Sequence, residues 1–247
     1  GRNNYCSRIG GLIMYTFNTT VSYSRLDRNG SVPYYEIMNY LQDCSTFQSV
    51  ALGVGPDHMK EVNKGWVVLA YKIKLYKPLK LGDEICVGTA PSKFGRVMAN
   101  RQYFIKDNDG EYAVKAETIW AMIDLKSRMP IRISDDETKA YCEEEIFEEL
   151  RVSRKLRPSE DRKKLESFKV LSSYIDENGH MNNANYLRVA EEYLPVNRDF
   201  SEIEIVYNKE ALEGEKIIPY LHQEENGLTI SFESMDGELH TMIKLTK

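Results

Sequence analysis

The sequence is poor in most features that betray a function at sight. Its 247 residues hold four cysteines, Cys6, Cys44, Cys86 and Cys142, far apart, with no C-x-x-C pair and no histidine at ligand spacing. That excludes the usual zinc patterns and gives no disulfide framework, so no metal or other cofactor is expected and a reducing cytoplasm is the expected compartment. No run approaches the roughly 18 apolar residues of a membrane-spanning helix. The N-terminus lacks the basic region and apolar segment of a secretory signal. It opens on Gly1 rather than Met, which reads as an added residue. Positive charge is not in excess either. Lys and Arg number 33 against 38 Asp and Glu, a net charge of −5, which gives no general reason to expect a nucleic acid partner.

The remainder is that of a globular protein, 42% hydrophobic and 29% charged. A chain of this length buries roughly 70–75% of its unfolded surface and needs neither metal nor disulfide to fold. One stretch stands out: DENGHMNNANY, residues 176–186, preceded by an echo, DRNGSVPYYEIM, at 27–38.

The echo opens a first half. Ser31 is the expected N-cap of a helix with Pro33 near its first position. Ile37, Leu41, Cys44, Gln48 and Ala51 then fall on one face, and Gly53 and Gly55 end the helix. The G-V-G there follows a helix rather than a strand, so it is not read as a dinucleotide-binding turn. Leu69, Tyr71, Ile73 and Leu75 alternate with polar or small residues as a strand, and D-N-D-G at 107–110 marks a hairpin. The second half repeats the order. It runs from a strand at 167–175 through the cluster to a helix from about Asn183 to Leu194, with Tyr186, Leu187 and Ala190 on one face. A strand at 202–208 and a hairpin turning at 235–237 follow. L-E-G-E-K-I at 212–217 matches L-G-D-E-I at 81–85. Asp27 and Asp176 are 149 residues apart and Gly82 and Gly214 are 132 apart, so order is kept while connections vary, as in duplicated units. The expected division is an N-terminal repeat at 1–133, an exposed, partly helical charged linker at 134–166 and a C-terminal repeat at 167–247.

A strand, a long helix and an antiparallel sheet, present twice, give an α+β chain with the order of a double hotdog fold. With that order, D-E-N-G-H-M-N-N-A-N-Y (176–186) and Y-N-K-E-A (207–211) resemble the signature of the acyl-acyl-carrier-protein thioesterases. The resemblance in order covers nearly the whole chain. The plastid transit peptide of plant members is missing, so a bacterial member is expected. The resemblance implies hydrolysis of the thioester joining a fatty acyl chain to the phosphopantetheine of acyl carrier protein. It also implies catalysis by the second repeat, with the first repeat lining much of the acyl pocket, through Ile37 and Leu41 among others. Where His180 stands the first copy has Ser31, and where Asn182 and Asn183 stand it has Pro33 and Tyr34. One active site per chain follows.

Thioester hydrolysis needs an activated water, a stabilised oxyanion and an exit for the thiolate. The resemblance assigns Asp176, Asn178, His180 and Glu210 to this work. His180 or Glu210 is the base for water, Asp176 orients the site, and Asn178 positions water or the carbonyl. Asn182 and Asn183 serve as oxyanion donors or as the helix cap. The cysteine that plant members carry after the Glu is Ala211 here, so no thiol is required there. Taken alone, the cluster reads first as an Asx-rich turn capping a helix, and Glu210 as a solvated strand-end carboxylate. His58, His222 and His240 read as surface or satisfied structural residues, and Trp66 and Trp120 as core or at most the wall of an acyl tunnel. Arg154, Lys155, Arg157, Lys163 and Lys164 make the linker the most basic region, which reads first as a solvated charge run and otherwise as a docking face for an acidic carrier protein. An acyl-CoA thioesterase, a hotdog hydratase or dehydratase, and a non-catalytic acyl-binding protein are the rivals. The chain acts as a monomer or homodimer, and no membrane partner is expected.

Overall fold

The computed structural model describes residues 7–9, 12–195 and 199–247. It divides into two compact units, the first running to Leu69 and resuming over Leu75–Val152, the second made of Ala70–Lys74 and Ser153–Lys247. None of the described helices is long and apolar enough to cross a membrane.

In chain order the first unit holds β1 (Ser7–Ile9), β2 (Leu12–Thr20), α1 (Tyr34–Ala51), α2 (Pro56–Glu61), β3 (Lys64–Leu75), β4 (Glu84–Phe94), β5 (Met98–Lys106), β6 (Tyr112–Asp124) and α3 (Asp135–Thr138). Its sheet has the order β1-β2-β4-β5-β6-β3. Helix α1 lies against β4 and β2. Ile37, Leu41, Cys44 and Gln48 are buried along it at the spacing of one helix face, whereas Ala51 is exposed. The helix begins later than Ser31 implies. Ser31 is held extended by a bridge to Lys80, and its N–H donates to Asp27 Oδ1 at 3.3 Å, so Pro33 becomes the N-cap. Gly53, with φ +73°, ends α1 as read.

The charged stretch after β6 is stitched to this unit rather than free. Gln102 Oε1 accepts the Ile146 and Phe147 N–H groups at 2.9 and 3.2 Å, and Glu117 Oε2 accepts Leu150 N–H at 2.8 Å. Ser134 and Glu137 form a capping box at the start of α3, and Glu137 also pairs with Lys64. Burial alone would raise the Glu137 carboxyl pKa, but bonds from Lys64 and Ser134 outweigh it and bring it to about 2. Its folded pKa lies below the ordinary 4.5, so its contribution is present above pH 4.5 and is lost as pH falls from there toward 2. Glu137→Gln is expected to remove on the order of 2 kcal/mol of stability at pH 7 and almost none near pH 2. Urea melts at both pH values check it, and equal losses at the two would refute it.

The second unit holds β7 (Arg162–Lys164), β8 (Phe168–Lys169), α4 (Asn183–Glu191), β9 (Glu202–Tyr207), β10 (Lys216–Glu224), β11 (Gly227–Ser234) and β12 (Leu239–Thr246). Residues 70–74 of β3 pair with β9, and the order continues β12-β11-β10-β7, with β8 also on β10. The strand expected over 167–175 shrinks to Phe168–Lys169, because the chain then enters a single 3-10 turn at Ser172–Tyr174. That turn lies 149 residues after its twin at Tyr23–Arg25. Helix α4 stops at Glu191, since Tyr193 and Leu194 donate to carbonyls only three residues back and Pro195 follows.

The repeat extends to single hydrogen bonds. Gly30 and Gly179 donate to Asp27 and Asp176 carbonyls, each at 3.0 Å. Val32 donates to Leu79 O and Met181 to Ala211 O, each at 2.9 Å. Gly82 donates to Val21 O and Gly214 to Val170 O, at 3.0 and 2.9 Å, with both glycines at φ +83°. This is a double hotdog, an α+β fold in which each half supplies one principal helix and one antiparallel sheet.

Candidate active site

The loop at 176–182 is shaped by Asp176. Its Oδ1 accepts the N–H of Asn178 at 2.8 Å and of His180 at 3.4 Å, while its own N–H donates to His180 O at 2.9 Å. Gly179 sits in the left-handed region at φ +82°, which closes the turn. Asp27, Asn29 and Ser31 make the same bonds at 2.8, 3.3 and 2.9 Å in the first unit. The frame therefore does not depend on a histidine.

Glu210 comes from the connection between β9 and β10. The Asn208 and Lys209 N–H groups are held by His240 O, and the next carbonyl after Glu210, that of Ala211, accepts Met181 N–H. This last bond joins the two loops, and it brings His180 Nε2 to 3.0 Å from Glu210 Oε2. The His180 side chain is 20% exposed and that of Glu210 44%. In the first unit Ser31 and Pro78 hold the corresponding positions, and neither can form such a pair.

The other expected residues fall out as follows. Asn178 is exposed on the turn. Asn182 is the N-cap of α4, its Oδ1 accepting Ala184 N–H at 2.9 Å, so that oxygen is committed to the helix. Asn183 is the first helical residue, and its carbonyl accepts the Tyr207 hydroxyl at 3.2 Å. Ile37 and Leu41 are buried on α1 of the first unit. Arg154, Lys155 and Arg157 are exposed, as are Lys163 and Lys164 on β7. Ala211, the residue after Glu210, is fully buried. Burial pushes the Cys44 and Cys86 thiols of the first unit up, away from the reactive thiolate. Among the described residues no three His, Cys, Asp or Glu side chains gather as a metal site.

Two histidines diverge. His222 is a satisfied structural residue, with Nδ1 at 2.8 Å from Ser159 O and Nε2 at 3.0 Å from Ser231 Oγ. His240 is not satisfied in that way: it is fully buried, neither ring nitrogen makes a hydrogen bond, and Nε2 lies 3.2 Å from Glu215 Oε1. Sequence reasoning also passed over Tyr186 as anything but core, and over Lys169 and Lys216, which are exposed and directly opposite across β8 and β10. Burial pushes the Tyr186 phenol well up, Thr241 and the Ala211 backbone oppose the rise, and Glu215 and Glu210 add to it. The signal for Tyr186 was its polar end at a core position; for the lysines, nothing local marks the pairing.

This fold and site can be set against known proteins. The model for the acyl-ACP thioesterase N-terminal domain matches residues 13–141, and that for the C-terminal domain matches 158–244. The chain belongs to the acyl-ACP thioesterase family. It is 29% identical over 176 residues to a chloroplastic acyl-(acyl-carrier-protein) hydrolase of Cuphea viscosissima, a stretch covering 65% of this chain and 42% of the relative. The chain thus spans less than half the length of that curated relative. Its fold matches the crystal structure of an acyl-ACP thioesterase from Bacteroides thetaiotaomicron with a TM-score of 0.84 at 21% identity, covering 94% of this chain and 97% of the other. The 12:0-ACP thioesterase of Umbellularia californica matches with a TM-score of 0.82 at 14% identity, over 94% and 96%.

Proposed function

We propose that this protein hydrolyses the thioester of fatty acyl-acyl carrier protein, releasing free fatty acid and ending chain elongation. The observation that carries this reading is the His180–Glu210 pair at 3.0 Å, present in one repeat of a family chain and absent from its twin. The second repeat (167–247) is the catalytic half, the first (1–133) the acyl-pocket half with Ile37 and Leu41 on its helix, and 134–166 joins them. The cytoplasm is the compartment that free Cys44, Cys86 and Cys142 suit.

In the proposed chemistry Glu210, the more exposed of the pair, takes a proton from water, and His180 Nε2–H holds the carboxylate in place. The hydroxide adds to the thioester carbon, with the Asn178 amide or a helix N–H facing the developing oxyanion. The C–S bond then breaks, and the thiolate takes back the proton that Glu210 received. Asp176 orients the loop through its bonds to the Asn178 and His180 N–H groups. Asn182 supports α4 as its cap.

The test is hydrolysis of one acyl chain on acyl carrier protein, on CoA and on pantetheine. Rapid release from the carrier protein alone supports the reading; release from CoA with equal kcat/KM would favour an acyl-CoA thioesterase. A folded protein that cleaves none would point to acyl binding. Arg154, Lys155, Arg157, Lys163 and Lys164, extended by Lys169 and Lys216, are the proposed docking face for the acidic carrier. Like charges set directly opposite on strands destabilise a sheet, so an exposed lysine pair there suits an anionic partner. Lys163→Glu with Lys164→Glu is expected to raise KM for the carrier-linked substrate about tenfold, leave acyl-pantetheine unchanged, and lessen the dependence on salt. An equal change on both substrates would remove the docking role.

A further inference from the structure

The two halves, compared position by position, isolate a buried polar cluster that the chemistry above does not use. The hydrogen bond from Tyr76 N–H to Ala113 O (2.9 Å) has its twin in Asn208 N–H to His240 O (2.8 Å). Val21 N–H to Asp83 O and Val170 N–H to Glu215 O, each 2.8 Å, form a second such pair. In that register Ile37, Asp83, Ala113 and Val114 correspond to Tyr186, Glu215, His240 and Thr241. Three of the four first-half residues are apolar and buried. Their second-half counterparts Tyr186, His240 and Thr241 are as deeply buried, yet neither His240 ring nitrogen makes a hydrogen bond of good geometry, and the Tyr186 hydroxyl faces Thr241 and the Ala211 backbone without forming one. Placing such groups in a core costs stability, and natural cores accept that cost mainly at functional sites.

The position of His240 says what they do. Its carbonyl accepts the Asn208 and Lys209 N–H groups at 2.8 and 3.1 Å, one end of the loop that carries Glu210. Its Nε2 lies 3.2 Å from Glu215 Oε1, and Glu215 Oε2 accepts Leu212 N–H at 3.0 Å, the other end of that loop. In the first half the matching bond, Lys80 N–H to Asp83 Oδ2 at 2.8 Å, forms although alanine, Ala113, stands at the histidine's position. The loop therefore closes without an imidazole, and the histidine answers a need other than folding.

We infer that His240 and Glu215 are positioning residues: the imidazole bears on the carboxylate that holds Leu212 N–H, and so sets the 208–215 loop for Glu210 to meet His180, with Tyr186 and Thr241 completing the buried polar layer. This rests on the reading of His180 and Glu210 as the hydrolytic pair. The charged and titratable groups bearing on His240 are Glu215 and Glu238, the latter paired with Lys209. Those bearing on Tyr186 are Glu210 and Glu215.

The experiment compares His240→Ala, which copies the first half, with His240→Gln, which keeps a side-chain donor. On the carrier-linked thioester, His240→Ala is expected to lower kcat about 10–100-fold with KM within about twofold, because a displaced base costs rate rather than binding. The pH profile of kcat/KM should move, and His240→Gln should recover most of kcat. The NMR signals of the His180 ring should change in His240→Ala and return toward their wild-type positions in His240→Gln, because the His180–Glu210 contact moves with the loop. Wild-type kcat and an unmoved profile, with only a lower Tm, would make His240 a core residue and overturn the inference. If His240→Ala does not fold, Glu215→Asp, which copies Asp83, carries the same measurements. If the wild type cleaves no thioester, the functional proposal fails, while the NMR signals of the His180 ring still decide whether His240 sets the loop.

Discussion

Glu210→Gln is expected to lower kcat/KM on the acyl carrier-protein thioester by about 10²–10⁴-fold without unfolding the protein. The substitution keeps the volume and one carbonyl oxygen but removes the basic oxygen that faces His180 Nε2 at 3.0 Å. The fold should hold because the Glu210 side chain is 44% exposed, and because the loops are joined through backbone groups, Met181 N–H to Ala211 O. His180→Ala should lose a comparable factor. The double variant should lose little more than either, as residues that act as one unit do. Fatty acid release, read beside a thermal melt, measures both. Glu210→Gln at wild-type rate would remove the assigned base, and additive losses would mean that the two do not act as a pair.

The largest expected effect on stability lies in the first unit. Gly88 on β4 is paired with Phe104 on β5, and the phenyl ring lies across the glycine. A Cβ built on Gly88 would stand 2.1 Å from Phe104 Cζ and 2.2 Å from Cε1. The ring has little freedom to leave. It is buried with Met14 and Ala90, and meets Tyr112 edge to face at 6.0 Å. Gly88→Val is therefore expected to cost about 3 kcal/mol, at the upper end for overpacking, because a whole aromatic side chain must be expelled. At roughly 2–4 °C per kcal/mol for a protein of this size, Tm should fall by about 6–12 °C. Phe104→Leu introduced together with Gly88→Val should restore part of the loss. Calorimetry of the two single variants and the pair gives the coupling directly, and a neutral Gly88→Val would contradict the packing.

Much of this was legible before any coordinates. The duplication, the two hairpins, the buried face of α1 and the meeting of Asp176, His180 and Glu210 on neighbouring loops follow from patterns that are local in sequence or fixed in motif. What escaped depends on backbone groups and on distant register. Ser31 looks like a helix cap until the Lys80 bridge holds it extended. The segment at 143–150 looks solvated because its acidic side chains are visible in the sequence, while the N–H groups that Gln102 and Glu117 bind are not. His240 reads as a surface or satisfied structural histidine because Glu215 reaches it only through the pairing of β12 with β9 and the turn beyond. Lys169 and Lys216 meet only once β8 is laid on β10.

The bond from Met181 to Ala211, with its twin from Val32 to Leu79, bears on what holds such a chain in shape. Both halves keep the pair of crossed loops, yet only one carries the histidine and glutamate. A frame that survives without its chemistry is held by its own backbone, so the reactive side chains are passengers on it. The half that carries Ser31 and Pro78 keeps the same shape, so a chain built of two such frames holds its form with the histidine and glutamate on only one of them.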